Sequence, residues 1–476
     1  AFELSEAIGS PVFVRSVTNV SQSHAMIDIE DRKIPDTKLF LEKNINKYTK
    51  AGAIIATNQH IRLLAALDKA EELISAKGLH KLNLKEKDGL GVITVGVVNH
   101  YIQESINLAN NAGCNVDFDK VSTLQLACTI PFANKELKAI LAHCSTIIVM
   151  EEMEAILEKQ IYMLAYQMGV KVHIIGKNDG TYSRLGEFNA AIAAQGFFVA
   201  EGKEVPVNLA SGDGSAEKLC AARPITVCAG CPHRGTYLSI NKAIKKAGYK
   251  KDEVMVTGDV GCTILGMNPP FHTLWTEIAM GASIPTAYAY KISGIETPVI
   301  ATIGDSTFFH GGIAPLINAV QHNINMTVII MDNGWTAMTG MQVNPGTAME
   351  FQKENYSRLD LPDVVKGLGI KHLAIVDPYN IEETTNAIVE AMALPGVKVV
   401  MPRRECAIQA NRRKVVYNKV NVIADKCTKC KVCINVAGCP AISLGEDSIV
   451  IDTKQCNGCG ICAQFCKQKA IETEAI

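Results

Sequence analysis

The end of the chain carries cysteines at short, repeated gaps, and this pattern restricts the fold more than any other feature. Half of the 16 cysteines lie in the last fifty residues, in two groups with the spacings C-x2-C-x2-C-x5-C-P and C-x2-C-x2-C-x3-C. This double spacing is typical of a bacterial ferredoxin domain with two [4Fe–4S] clusters. The last gap of the first group is longer than usual, and Lys467 stands where the second group usually has Pro.

Each cubane cluster needs four thiolates from tetrahedral directions, and one tight loop supplies three of them. The fourth comes from the other half of the pseudo-symmetric fold. Zinc sites are the alternative, although they rarely use three closely spaced cysteines twice. We therefore predict one cluster on tail set A and one on tail set B, where tail set A is Cys427, Cys430, Cys433 and Cys466, and tail set B is Cys456, Cys459, Cys462 and Cys439.

The composition excludes several classes of protein. With 476 residues the chain has length for about three domains, and its net charge of −1 gives no basic field for nucleic acid or an anionic membrane. No apolar run approaches the ~20 residues that span a bilayer. So many cysteines in a long chain without a visible signal peptide indicate metal binding in a reducing cytoplasm. The chain opens with Ala1 inside a predicted helix, so we expect further residues upstream.

Strands and helices alternate over most of the chain, which predicts an α/β fold with two doubly wound, mostly parallel domains. Buried-strand runs include residues 89–98, 299–303 and 327–331, and a long helix is predicted over 152–168. We predict five regions: a remnant domain end and linker at 1–50 with a strand at 11–16, an α/β domain at 51–185, a linker at 186–223, an α/β domain at 224–410, and a small α+β ferredoxin domain at 415–476.

Polar residues follow two neighbouring buried strands of the second α/β region. Gly304-Asp305-Ser306 comes after one strand, and Asp332-Asn333 ends the next, with a helix between them. Mg²⁺ prefers oxygen ligands and usually retains phosphate oxygens in its shell. The pattern therefore predicts Mg²⁺ bound by Asp305, Asn333 and the Trp335 carbonyl, as in the thiamine diphosphate motif. An ordinary strand-end turn is the alternative.

Six longer segments precede the cysteine-rich tail. They are PVFVRSV (11–17), CAGCPHRGT (228–236), GDVGCTILG (258–266), MGASI (280–284), GDSTFFHGGIAPLINAVQHN (304–323) and DNGWTAMTGMQVNPGT (332–347). In sequence and order they resemble the large subunit of indolepyruvate ferredoxin oxidoreductases over nearly the whole chain. The resemblance implies transketolase-like α/β domains and cofactor contacts from Cys231, His233, Asp259, Gly261, Cys262, Thr263, Gly304, Asp305, Ser306, Asn333, Trp335, Thr336, Ala337, Met338 and Thr339.

The resemblance also implies an activity, namely oxidative decarboxylation of aryl pyruvates to aryl-acetyl-CoA. Coenzyme A would be the acyl acceptor, and electrons would pass through [4Fe–4S] clusters to an external ferredoxin. A smaller partner subunit, a hetero-oligomer and an anaerobic host are further implications. Gly334 and Trp335 replace the small hydroxylic residues usual in the family. We expect most of the pyrimidine-binding domain to lie outside this sequence, so no residue is assigned to its carboxylate.

A third cluster is implied on four cysteines that we call the proximal set: Cys228, Cys231, Cys262 and Cys406. Related oxidoreductases distribute four cysteines in this manner beside thiamine. The alternative is a group of buried structural thiols, because free cysteine often behaves as a small buried hydrophobe.

The catalytic residue is open, with His233 and His310 as candidates. His233 and Arg234 either face the diphosphate or the substrate carboxylate, or make a helix-cap contact. Two rival functions remain. One is a 2-oxoacid:ferredoxin oxidoreductase for another substrate class, which Trp335 favours by reshaping the pocket. The other is an electron-transfer or scaffold subunit with an incomplete thiamine site.

Overall fold

A computed structural model describes residues 1–29, 31, 43–207, 209, 215–220 and 225–475. It divides into two compact units, Ala1–Cys220 and Ala221–Ile476. Each unit contains one mostly parallel five-stranded sheet, which confirms the predicted α/β fold class. In the part of the chain that is described, no helix combines the length and apolar character needed to cross a membrane.

The first unit begins with helices and continues into its sheet. The sheet has the order β1-β3-β2-β4-β5, with β1 antiparallel and the other strands parallel. Its strands are β1 Lys81–Asn83, β2 Leu90–Val95, β3 Ser122–Leu126, β4 Thr146–Met150 and β5 His173–Ile175. Its helices are α1 Phe2–Ile8, α2 Thr18–Gln22, α3 Ile45–Tyr48, α4 Ala53–Ala76, α5 Ile102–Asn111, α6 Asn134–His143, α7 Leu157–Met168, α8 Ala190–Ala200 and α9 Ser215–Leu219.

Several predictions for this unit differ from the structure. Residues 11–16 form no strand. The helix predicted from 152 begins at Leu157, because Glu151 accepts the N–H groups of Ile156, Leu157 and Glu158 and so fixes the first turn there. Helix α8 lies within the predicted linker 186–223 and packs in the core of the first unit. Residues 30, 32–42, 208, 210–214 and 221–223 of the two predicted linker regions lie outside the described residues.

The second unit contains a parallel sheet with the order β6-β7-β8-β10-β9. Its strands are β6 Met255–Thr257, β7 Val299–Gly304, β8 Met326–Met331, β9 His372–Val376 and β10 Val397–Pro402. Its helices are α10 Pro232–Lys246, α11 Ser283–Ile292, α12 Asp305–Thr307, α13 Ile313–Gln321, α14 Leu361–Gly367, α15 Ile381–Ala393 and α16 Ala407–Arg412. A π-helical turn, Phe308–Gly312, joins α12 to α13.

Alternate residues of these strands point to opposite faces, and both faces are apolar. Ile300 and Ile329 pack on one side with residues of α10 and α15. Ala301 and Val328 pack on the other side with residues of α11 and α13. A parallel sheet that is covered on both faces requires apolar side chains on both of them.

The tail is a small α+β region within the second unit. Strand β11 Asn418–Val422 pairs antiparallel with β14 Ile471–Ala475, and β12 Ile442–Leu444 pairs with β13 Ile449–Ile451. The two short helices are α17 Val432–Asn435 and α18 Ile461–Gln464. Gln464 joins the tail to the α/β part, because its Nε2 donates to the Tyr379 carbonyl (2.7 Å) and its Oε1 accepts from the Ile381 N–H (3.1 Å).

Candidate functional site

The strand register brings the predicted magnesium ligands to one edge of the second sheet. Gly304 at the end of β7 pairs with Met331 at the end of β8. The next residues, Asp305 and Asp332, therefore emerge side by side. Parallel strands place their carboxyl ends at the same edge, which is where ligands bind in open α/β sheets. We call the loops after β6, β7, β8 and β10 the carboxyl edge.

Asp305 is a buried carboxylate with one defined side-chain partner. It is 3% exposed, and its Oδ2 accepts a hydrogen bond from Asn344 Nδ2 at 2.8 Å. Burial, and then the neighbouring Asp332 carboxylate, raise the pKa of Asp305 to about 8. Asp332 in turn accepts a 2.6 Å bond from Arg403 Nε. Within the described part of the chain, no lysine or arginine forms an ion pair with Asp305, and a divalent cation would stabilise its charged form.

Asn333 connects the end of β8 to the beginning of α10. Its Oδ1 accepts from the Trp335 N–H (2.9 Å), and its Nδ2 lies 3.2 Å from His233 Nε2. Burial lowers the pKa of His233 to about 4, so the imidazole is neutral at pH 7. Trp335 is also buried and packs against Phe351, with ring centroids 5.1 Å apart.

The loop after β6 approaches the same edge. Gly261 has φ +124°, a conformation that favours glycine. Thr263 is buried beside Gly304 and donates a 2.9 Å bond to the Asp259 carbonyl. The Asp259 carboxylate accepts N–H bonds from Val260, Gly281 and Ser283. It thus anchors the start of α11, and its contact with a cofactor stays a prediction.

The remaining predicted contacts lie around this edge with varied exposure. Thr336 Oγ1 donates to Ser306 Oγ at 2.7 Å, which joins the loops after β7 and β8. Ala337 is buried, whereas Met338, Thr339 and His310 are exposed in this chain. Of the two catalytic candidates, only His233 is therefore in contact with a predicted magnesium ligand.

The four thiols of the proximal set lie within electrostatic reach of one another and of the carboxyl edge. Burial first, and then the neighbouring Cys406, Cys228 and Asp305, together raise the pKa of Cys262 to about 11. The pKa of Cys231 is raised by burial and also by Cys262 and Cys228. Cys406 donates its backbone N–H to the Asn333 carbonyl at 3.0 Å. Residues separated by nearly 180 positions thus meet beside Asp305 and Asn333.

The tail cysteines surround two separate cavities in the combinations predicted from their spacing. All members of tail set B line one cavity. All members of tail set A line another. In each case three cysteines of one loop are joined by one from the other half. Among the described residues, no three His, Cys, Asp or Glu side chains converge closely enough for a single metal ion.

Arg234 does not face the carboxyl edge, contrary to one of its two predicted roles. Its guanidinium donates to the carbonyls of Ala437, Val227 (2.7 Å) and Cys228 (3.0 Å). The side chain therefore lies between the proximal loop and the tail, and caps backbone carbonyls there.

Sequence reasoning missed two positioning residues, Asn344 and Arg403. Each orients one of the two adjacent aspartates. Asn344 lies in the segment 332–347, but a single Asn before Pro-Gly is typical of a turn. Only the folded loop shows that its amide reaches Asp305.

The donor sets fit the groups implied by the sequence. The carboxyl edge offers a buried carboxylate and an amide oxygen, which suit Mg²⁺ with a diphosphate. The three cysteine sets offer thiols, which suit iron–sulfur clusters.

Comparisons with known proteins agree with both kinds of site. The family described as "Thiamine pyrophosphate enzyme, C-terminal TPP binding domain" matches residues 259–401, and "4Fe-4S binding domain" matches residues 449–472. The indolepyruvate oxidoreductase subunit IorA of Thermococcus kodakarensis is 33% identical over 500 residues, covering 99% of this chain and 74% of that protein. The IorA subunit of Methanothermobacter marburgensis is 30% identical, covering 100% of this chain and 74% of its own. The 2-oxoglutarate synthase subunit KorB of Archaeoglobus fulgidus is 28% identical over 184 residues, covering 37% of this chain and 68% of its own.

Proposed function

Because this chain belongs to the family of indolepyruvate oxidoreductase IorA subunits, and is thus a subunit of a thiamine diphosphate-dependent 2-oxoacid:ferredoxin oxidoreductase, we propose that it acts on aryl pyruvates of the indolepyruvate type. The products are an aryl-acetyl-CoA, CO₂ and two electrons, which leave singly to an external ferredoxin. A smaller partner subunit completes a hetero-oligomer. The carrying observation is that the carboxyl edge, the proximal set and tail set B adjoin one another within one compact unit.

In this proposal the carboxyl edge holds the cofactor through Mg²⁺. Asp305 and Asn333 would supply side-chain oxygens and Trp335 its carbonyl, and the other predicted contact residues would help to hold the cofactor. Thiamine diphosphate, when bound, supplies the carbanion and the electron sink for decarboxylation. Asn344 orients Asp305, and Arg403 orients Asp332, so that the edge keeps its geometry before the cofactor enters.

His233 is the stronger of the two catalytic candidates because of its position. It is buried, and its Nε2 contacts the Asn333 side chain. A pKa near 4 means that it is neutral at pH 7. It therefore orients Asn333 or a polar group of the substrate by hydrogen bonding, rather than binding a carboxylate as a cation. His310 is exposed in this chain and would need a partner surface to enter a closed site.

The cysteine sets give the electrons an ordered route. The proximal set adjoins Asp305 and Asn333, and its loop residue Gly230 lines the same cavity as tail set B. Tail set A lies in the other half of the tail. Thiolate-bound [4Fe–4S] clusters are one-electron carriers. We thus propose the order proximal set, tail set B, tail set A, with ferredoxin as the external acceptor.

A second candidate is an oxidoreductase of the same class that prefers another 2-oxoacid. Trp335 favours it, because this buried indole packs on Phe351 at the carboxyl edge and removes volume there. Product analysis separates the two candidates. The complex with its partner subunit is assayed anaerobically for coenzyme A-dependent ferredoxin reduction with indolepyruvate, phenylpyruvate, pyruvate and 2-oxoglutarate. The proposal requires the highest kcat/KM with the first two, and a preference for pyruvate or 2-oxoglutarate contradicts it.

A further inference from the structure

Arg234 is a fully buried cation between two cysteine sites. Its side chain is 1% exposed. One terminal nitrogen donates to the Val227 and Cys228 carbonyls of the proximal loop, and the other donates to the Ala437 carbonyl, two residues before Cys439. The guanidinium thus joins the loop of one cysteine set to the loop of another.

Among the residues that the structure describes, one nitrogen of this guanidinium has no hydrogen-bond partner. Arg234 Nε is buried without a hydrogen bond, and the side chain lines the cavity that tail set B surrounds. Asn457, next to Cys456, lines the same cavity, and its Oδ1 is also buried and unpartnered. Buried donors and acceptors without partners are rare and costly, so each requires an explanation. A sulfur acceptor in this cavity would satisfy the Arg234 donor.

The charge of Arg234 also lacks a counterion in the part of the chain that is described. Among the residues the structure describes, its hydrogen bonds are to neutral carbonyls, and none of the carboxylates forms an ion pair with it. An uncompensated buried charge costs several kcal/mol. Both Cys231 of the proximal set and Cys459 of tail set B interact electrostatically with Arg234. Thiolates and reduced clusters are anionic, so clusters on these cysteines would compensate the charge of Arg234.

The contact between the two loops is close. Gly230 has φ +68°, and a Cβ there would overlap the Asn457 side chain. Tyr379 bridges the same loops, because its OH donates to the Gly230 carbonyl (2.5 Å) and accepts from Asn457 Nδ2 (3.3 Å). Arg234 is therefore fixed at a rigid junction rather than at a mobile surface.

We propose that Arg234 is a positioning residue for electron transfer, whose buried charge raises the reduction potentials of the two clusters between which it lies, one on the proximal set and one on tail set B. The inference rests on the proposed cluster ligands. A nearby positive charge stabilises the reduced, more negative form of a one-electron centre. The step moves one electron from the reduced proximal centre to the oxidised tail centre. No bond or proton is exchanged, because arginine stays protonated.

The test compares Arg234→Met, Arg234→Lys and Lys366→Met in the whole complex. Arg234→Met removes the charge but keeps much of the length, Arg234→Lys keeps the charge, and Lys366→Met removes an exposed charge from α14 as a matched control. Iron and sulfide are measured first, and the midpoint potentials then follow from EPR-monitored redox titration. We expect Arg234→Met to lower the midpoint potential of one tail cluster by at least about 59 mV, which is a tenfold change in a one-electron equilibrium. The other two variants should stay near the native value.

Native-like potentials in an Arg234→Met protein with full iron content would overturn the inference. If Arg234→Met does not retain the cluster, the Arg234→Lys protein provides the test. A native-like midpoint potential in that protein supports the role of the charge, and a lowered midpoint potential contradicts it. Absence of clusters from the native complex would instead refute the proposed ligands. The two failures are thus distinguishable without any turnover assay.

Discussion

Asn344 orients the proposed magnesium ligand Asp305, so removing its amide tests the carboxyl edge without touching a ligand. In the structure Asn344 Nδ2 donates to Asp305 Oδ2 at 2.8 Å, and both side chains are buried. Asn344→Ala leaves the carboxylate free to turn and deprives its charged form of a donor. The expected result is weaker binding of thiamine diphosphate with Mg²⁺.

The magnitude follows from the kind of bond that is lost. A hydrogen bond to a charged group contributes roughly 1.5–3 kcal/mol, and about 1.4 kcal/mol is tenfold in affinity. We therefore expect the Kd for thiamine diphosphate to rise roughly 10- to 100-fold at saturating Mg²⁺. Equilibrium dialysis of the purified complex measures it directly.

Asn386→Ala is the matched control for this variant. Asn386 lies on α15 and accepts a solvent-exposed hydrogen bond from Lys246, at the C-terminal end of α10. The Asn386→Ala complex should bind thiamine diphosphate with the same Kd as the native complex. An Asn344→Ala complex that binds the cofactor as tightly as the control would refute the orienting role of Asn344.

Three further predictions concern other parts of the site. Asp305 has a raised pKa of about 8 and must be ionised to hold Mg²⁺. The Kd for thiamine diphosphate should therefore rise roughly tenfold for each pH unit below that pKa. A Kd that stays constant from pH 9 to pH 6 argues against Asp305 as a magnesium ligand. Replacing Cys427 and Cys466 together removes two ligands of tail set A, whereas replacing Cys427 and Cys439 removes one ligand from each tail set. Anaerobic iron analysis should therefore find about four irons lost from the first variant and about eight from the second, at four per cluster. The two losses would be exchanged if each cluster took all its ligands from one group in the sequence. Trp335→Ala removes the indole and enlarges the space at the carboxyl edge. The kcat/KM for indolepyruvate, divided by that for pyruvate, should then rise by roughly tenfold or more. An unchanged ratio would mean that Trp335 does not line the substrate pocket.

The periodic elements were predictable because local patterns determine them. The apolar runs that form β7 and β8 were predicted within one residue at each end. Strand β9 was missed because His372–Val376 is only partly buried and lies at the sheet edge, so its pattern is weak. Strand β3 was missed as well, since Ser122 and Thr123 interrupt its apolar character although both are buried.

The site was predictable only where spacing carries chemistry. The cysteine spacing predicts which tail thiols share a cluster. Each predicted set lines one cavity, and the role of these thiols as cluster ligands stays a prediction. Arg234 is different, since nothing in CAGCPHRGT shows that its side chain turns toward Ala437 in the tail. Such a contact depends on how the tail packs on the α/β part, and this packing is set by tertiary structure rather than by a local pattern.

The content of iron, sulfide and thiamine diphosphate in the anaerobically purified complex tests the central claim most directly. The account predicts about twelve irons with matching sulfide and one thiamine diphosphate per chain, at four irons per cluster. About eight irons with thiamine diphosphate would leave the enzyme but make the proximal set structural thiols. Clusters without thiamine diphosphate, even after the cofactor and Mg²⁺ are added, would contradict the claim that this chain holds the site of decarboxylation.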